Sequence, residues 1–244
     1  AGSPIAPCIA PVSVIAFIIA AAPTTMPAVR VGIVRHGESE GNLASTLQGC
    51  RLDTALSSRG RRQAEALAIR LAGEPIDVVV SSPMLRARET AATILAPHGV
   101  PLRIDTDLVE FDWGEWTGRS LDDDLERQVG EIRARWRAGD VAVATPRGES
   151  PVIAAERAER ALTRLRQSGA RSPLIVAHGR FNRILMAVLL GRHLSRMDEI
   201  RQRNGSYSLF EWDGNGVATP IFLDSVDHLE AEMAEGGGRS DSVR

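Results

Sequence analysis

The chain has 244 residues, 43% of them hydrophobic and 25% charged, with a formal net charge of −2; that suits one globular domain and argues against nucleic acid or a membrane surface as a stable partner. All 29 basic residues are arginine, and the absence of lysine excludes P-loop nucleotide hydrolysis and Schiff-base chemistry. The two cysteines, Cys8 and Cys50, form no zinc-binding spacing, and no disulfide between them is expected.

The chain opens on an apolar stretch, "IAPCIAPVSVIAFIIAAAPTT", without a positive leader and broken by prolines at 7, 11 and 23. Its uninterrupted part, Val12 to Ala22, is shorter than the ~20 residues that span a bilayer. Residues 1–28 are therefore expected to lie outside the fold. Met26 is a natural start, which goes with a cytoplasmic protein, and "AAA" at 20–22 keeps a signal-like alternative and export open.

From residue 29 strands and helices alternate. Strand-like runs cover Val29 to Val34, Ile76 to Val80, Leu102 to Ile104, Leu174 to Ala177, Tyr207 to Trp212 and Thr219 to Leu223. The first, second and fourth are continuously apolar, the pattern of strands buried on both faces. Between them, Ala64, Leu67, Ala68 and Leu71 have helical spacing. Ser82-Pro83 reads as an N-cap and N1 proline opening a helix to about Ala96. Ser120 opens another, with apolar Leu121, Leu125, Val129, Ile132 and Trp136 on one face and Gly139 at its end; the arginines at 133, 135 and 137 read as its solvated terminus. Two more helices span Ala154 to Leu165 and Phe181 to Leu190. The alternation predicts an α/β fold, a three-layer α/β/α sandwich with a mainly parallel central sheet over residues 29–224. "DGNG" at 213–216 is the turn of a terminal hairpin, and residues 225–244 form a polar tail.

In such sheets ligands bind beyond the carboxyl ends of the strands. The first strand ends in Arg35-His36-Gly37 and the fourth in His178-Gly179. The second ends in Ser81-Ser82-Pro83, with Arg86 one turn into the next helix. Arginine offers forked, permanently charged donors for phosphate oxygens, and the helix after Pro83 is expected to aim its N-terminus at the same anion. A histidine among cations has a lowered pKa and keeps a nucleophilic nitrogen. His36 therefore reads as a nucleophile toward phosphorus and Arg35 as a holder of phosphoryl oxygens, while Gly37 lets the backbone turn and approach closely.

Five motifs in register, "RHGES" (35–39), "SSPMLRARETA" (81–91), "LVEFDWGEWTG" (108–118), "GES" (148–150) and "HG" (178–179), resemble the histidine phosphatase superfamily, in the branch that contains phosphoglycerate mutases. The resemblance implies a phosphoglycerate mutase-like fold and a phosphohistidine on His36. It assigns Arg35, Arg86 and His178 to the phosphate pocket, Glu110 to proton donation and Asn42 to phosphoryl contact. Gly49 fits the loop pattern of the family. Phe111 and Trp113 are expected to desolvate Glu110 and raise its pKa; Glu115 is its nearest rival. The implied activity is metal-independent hydrolysis of a small phosphorylated metabolite, with no cofactor. A cofactor-dependent phosphoglycerate mutase is the alternative, although "LVEFDWGEWTG" resembles the phosphatase form, and a non-enzymatic phosphate-binding module is a further one. Gly41 stands where many relatives carry an aromatic residue, so an opened pocket mouth is expected. Glu38 and Glu149 are equally compatible with structural and substrate roles. Arg88, His98, His193 and His228 are expected to be uninvolved, and the tryptophans to be core.

Overall fold

The computed structural model describes residues 28–213 and 216–229. The expectations for residues 1–27, including Cys8, and for the tail from 230 onward lie outside them. β1 (Val29–Arg35), β2 (Val78–Ser81), β3 (Leu102–Ile104) and β4 (Pro173–Ala177) run parallel. β5 (Tyr207–Trp212) pairs antiparallel with β1, and β6 (Thr219–Ser225) antiparallel with β5. The sheet order is β3-β2-β4-β1-β5-β6, which places the ends of β1 and β4 side by side with Arg35 opposite Ala177.

The alternation of a pleated strand sorts the core into two layers. Val31 and Ile33 of β1 face one way, with Ile175 and Ala177 of β4. They pack on α4 (Asp123–Arg137), α5 (Pro151–Gln167) and α6 (Gly179–Leu189). Val34, Leu174 and Val176 face the other way, onto α2 (Ser58–Leu71) and α3 (Leu85–Leu95). This is the expected three-layer sandwich. β1, β2 and β4 are interior strands, as their apolar runs indicated, and β3 is a short exposed edge. The β5–β6 pairing is the expected hairpin, with residues 214 and 215 of its turn outside the described ones. Contacts continue past residue 224: a 3-10 turn, Asp227–Leu229, buries Leu229. Among the described residues no helix is long and apolar enough to cross a membrane.

Helix starts differ from their expected positions in ways that matter at the site. Ser82 does not cap α3, whose N-cap is Met84. The first free amide of that helix, on Leu85, donates instead to both oxygens of Asp53 at 2.9 Å, so this N-terminus is filled by a carboxylate of the chain itself. α4 is capped by Asp122, which accepts from Leu125 N–H at 2.8 Å, and not by Ser120; a carboxylate is the better partner for a helix N-terminus. α6 starts two residues before Phe181, directly on His178. Arg133 is not part of a solvated helix end: its Nε donates to Asp198 at 2.9 Å, and both side chains are largely buried.

A short helix α1 (Glu40–Leu43) follows β1. Ser39 and Asn42 close it reciprocally as a capping box, Ser39 N–H donating to Asn42 Oδ1 at 3.1 Å and Asn42 N–H to Ser39 Oγ at 3.3 Å.

Candidate active site

The carboxyl ends of β1 and β4 open onto a pocket whose lining includes Arg35, His36, Asn42, Arg86, Glu110 and Gly179. His36 is buried, and its ring lies 5.1 Å, centroid to centroid, from the ring of His178 in an edge-on arrangement. Nδ1 of His36 is 2.6 Å from the Gly37 carbonyl. A carbonyl only accepts, so Nδ1 carries the proton and Nε2 of the neutral ring presents its lone pair. Arg86 Nε donates to that nitrogen at 3.3 Å. Burial, then the charges of Arg86 and Arg35, hold the His36 pKa well below the usual histidine value. The close approach expected at Gly37 is present: a Cβ there would stand 2.4 Å from the Gly60 carbonyl oxygen.

Arg86 is itself buried and fixed by the loop after α1. It donates to the carbonyls of Gly49 and Leu52, each at 3.1 Å. Gly49 needs its positive φ of 57° to turn that carbonyl inward. Arg35 donates through Nη1 to the Gln202 carbonyl, and its guanidinium lies against Gly179, where a Cβ would come within 3.0 Å. His178 is fully buried. Its Nε2 is 2.7 Å from Ser82 Oγ, its Nδ1 has no hydrogen-bond partner, and burial followed by the charge of Arg86 keeps its pKa well below the usual value. Asn42 uses Oδ1 for Ser39 and for Asn204 Nδ2, at 3.2 Å, which leaves its Nδ2 for a ligand.

Glu110 sits at the N-terminus of α6. Its Oε1 accepts from Phe181 N–H at 2.9 Å and Phe111 N–H at 2.8 Å, and its Oε2 from Arg180 N–H at 3.3 Å. Of the two aromatic residues expected to shield it, Trp113 lines the same pocket and Phe111 does not. The Phe111 ring is turned into the core, edge-on to Trp113 at 4.9 Å and Trp136 at 5.6 Å, so backbone amides surround the carboxyl. Glu115 is exposed and pairs with Arg147 at 3.1 Å. Glu38 accepts from Ser57 Oγ, and Glu149 braces Arg157 and the Asp112 amide; neither lines the pocket. Arg88 is exposed, as expected. Trp113, Trp116 and Trp136 are core residues, with Trp113 also reaching the pocket wall.

Gly41 does not open the pocket mouth. A Cβ there would stand 2.4 Å from Gln48 Cδ, because the Gln48 side chain occupies the space. Gln48 is held by Ser39 Oγ at 2.8 Å and Thr54 Oγ1 at 2.6 Å, and it lines the pocket. Sequence reasoning missed Gln48 and Arg180. Arg180 is 1% exposed and lines the same pocket; one nitrogen is tied to Asp198, and Nε and Nη2 make no hydrogen bond. Its guanidinium stacks 5.5 Å from Trp113 and 5.9 Å from Trp136. Also missed was the loop before β5, where Asn204 and the Gly205 amide bind the His36 carbonyl at 3.3 and 3.1 Å. Its place follows from topology alone, since a strand antiparallel to β1 begins where β1 ends.

Comparison with known proteins agrees with this geometry. Phosphoserine phosphatase 1 of Hydrogenobacter thermophilus is 32% identical over 186 residues, covering 76% of this chain and 87% of the relative. Glucosyl-3-phosphoglycerate phosphatase of Mycolicibacterium vanbaalenii is 37% identical over 170 residues, 66% of this chain and 74% of the relative. The solved structure of a mycobacterial glucosyl-3-phosphoglycerate phosphatase complexed with VO3 superimposes with a TM-score of 0.73 at 30% identity, covering 81% of this chain and all of that one. The sequence profile of the histidine phosphatase superfamily (branch 1) matches residues 31–221, and the chain belongs to that superfamily.

Proposed function

We propose that the protein is a phosphomonoester hydrolase that works through a phosphohistidine on His36 and acts on a small phosphorylated metabolite. The observation that carries this reading is the state of His36: Nδ1 is bound to a carbonyl at 2.6 Å, and Nε2 is unprotonated and accepts from the buried Arg86. A phosphoryl group entering the pocket replaces His36 as the partner of Arg86. Nε2 then attacks phosphorus, the P–O ester bond breaks, and the leaving oxygen takes a proton from Glu110. Water attacks the phosphohistidine in a second step and returns a proton to Glu110, which releases inorganic phosphate and regenerates the ring. Arg35, Arg86, His178 and the Asn42 amide hold the equatorial oxygens throughout, so the barrier is lowered mainly by placed charge, without a metal or other cofactor. Vanadate, which mimics five-coordinate phosphorus, should therefore inhibit, and EDTA should not.

The relatives named above for phosphoserine and glucosyl-3-phosphoglycerate support small phosphate esters as the substrate class. The test is a panel of phosphomonoesters that includes 3-phosphoglycerate, read for free phosphate and for 2-phosphoglycerate. Phosphate release without isomerisation is the expected result. Isomerisation dependent on a bisphosphoglycerate primer would make the protein a mutase, and no turnover of any ester would leave only a binding module.

A further inference from the structure

Ser82 lies directly after β2, is fully buried, and has two contacts at its hydroxyl. The Met84 amide donates to Oγ at 3.3 Å, and Nε2 of His178 lies 2.7 Å away. Pro83 has no N–H, so the Met84 amide is the first that can reach back. The neighbouring hydroxyl of Ser81 does not compete, because it donates to the Ser82 carbonyl at 2.9 Å. Proton counting then fixes the direction of the short contact. With Met84 N–H already donating to Oγ, the hydroxyl hydrogen needs an acceptor, and His178 Nε2 is the one within reach. If Nε2 carried the proton instead, the serine hydrogen would be buried with no partner, which is costly. A neutral imidazole has one N–H, so a serine donating to Nε2 leaves that hydrogen on Nδ1, the nitrogen that has no protein partner.

We propose that Ser82 is a positioning residue: its hydroxyl donates to His178 Nε2 and so keeps the ring proton on Nδ1, where it is offered to a phosphoryl oxygen. The inference rests on the reading of His178 as a phosphoryl ligand. Burial, then the charges of Arg86, His36, Arg35 and Arg157, keep this ring from taking a second proton, so it has a single hydrogen to place, and the serine decides which nitrogen carries it. The imidazole has no competing duty at the helix it precedes, since it makes no capping bond to α6.

The tautomer is read by NMR on the full chain labelled with 15N-histidine at neutral pH, the His178 signals being identified by their loss in His178→Asn. Wild type should show a protonated Nδ1 and a bare Nε2. Ser82→Ala should move the proton to Nε2 or give a mixture, and should lower kcat/KM for p-nitrophenyl phosphate by about 10-fold or more. Ser82→Thr, which keeps the hydroxyl, should restore both. Protonation at Nε2, or at both nitrogens, in the wild type would overturn the proposal, as would an unchanged Nδ1–H tautomer in Ser82→Ala. Should Ser82→Ala fail to fold, the wild-type spectrum decides alone. The tautomer is measured without turnover, so the expected spectrum in a protein that hydrolyses no phosphomonoester would support the role of Ser82 and overturn the hydrolase reading.

Discussion

At the scale of the residue, the proposed mechanism divides the chemistry between His36 and Glu110, and each makes a prediction that the other does not. His36→Ala removes the atom proposed to take the phosphoryl group, so hydrolysis of every ester should disappear; residual steady-state turnover in the purified variant would contradict the assignment. Glu110→Gln removes a transferable proton while its amide oxygen can still accept from the amides of Phe111 and Phe181. Alkyl esters, whose leaving oxygen must be protonated, should slow by a factor of at least ~100. The nitrophenyl ester, with an acidic leaving group, should slow much less in its first step; equal losses, measured as kcat/KM, would remove Glu110 from the role. The pH profile follows from His36. Attack requires the unprotonated ring, and burial with Arg86 and Arg35 lowers its pKa. The acidic limb of kcat/KM should therefore lie below the ordinary histidine value of about 6.5, and a limb at or above it would mean that a different base is titrating. The sign for stability is the same. A buried ring with a lowered pKa binds fewer protons than the unfolded chain, so stability is lost as pH falls from the unfolded histidine value of about 6.5 toward the lowered one. Arg35, His36 and His178 were legible in the sequence because each sits at a strand end, and Arg86 because it lies in the first turn of the helix after β2. The setting of Glu110 was not legible, since no local pattern says that an aromatic neighbour turns away.

At the scale of the element, strand interiors announced themselves and helix starts did not. Continuous apolar runs located β1, β2 and β4, because burial on both faces leaves no other composition possible. A helix start depends on which side chain reaches the free amides, and here two came from a distance: Asp53 at α3 and Glu110 at α6. The same limit explains Gly41. Its missing side chain reads as open space, but Gln48, seven residues on, folds back into it. The loop containing α1 is thus closed by a side chain that spans the gap and bonds to Ser39 and Thr54. Gln48→Ala should widen the pocket mouth. Bulky phosphate esters should gain in kcat/KM relative to p-nitrophenyl phosphate, while the protein loses about 1 kcal/mol with the hydrogen bonds from Gln48 to Ser39 and Thr54. An unchanged ratio between large and small esters would show that the mouth is set elsewhere.

At the scale of the whole molecule, one carboxylate ties Arg180 of the pocket lining to the rest of the fold. Asp198, in the 3-10 segment after α6, accepts from Arg180 and from Arg133 and lies 3.6 Å from Arg183. It thereby joins α4, α6 and the segment before β5 at a single buried point. Three guanidinium groups share one carboxylate, and Arg180 and Arg183 both have pKa values lowered first by burial. Asp198 is held well below the usual carboxylate range by Arg180 and Arg133, against the opposing effect of its own burial. Removing one partner of a buried ionic cluster leaves the others uncompensated, at a cost of about 3–5 kcal/mol. Asp198→Asn should therefore lower Tm by roughly 10 °C. The exposed pair Arg196–Glu199 is the control, and Glu199→Gln should leave Tm nearly unchanged. The linkage sign is that of a depressed acid. The stabilisation is complete above the unfolded aspartate value of about 3.9 and is lost as pH falls below it. In Asp198→Asn that part of the acid-induced loss should be missing, so the Tm difference between variant and wild type should narrow between about pH 5 and pH 2. A difference that stays constant over that range would place the effect in packing and not in charge. Because Arg180 binds Asp198 through its side chain and Glu110 through its own amide, the variant should also lose turnover on alkyl esters at temperatures where it remains fully folded.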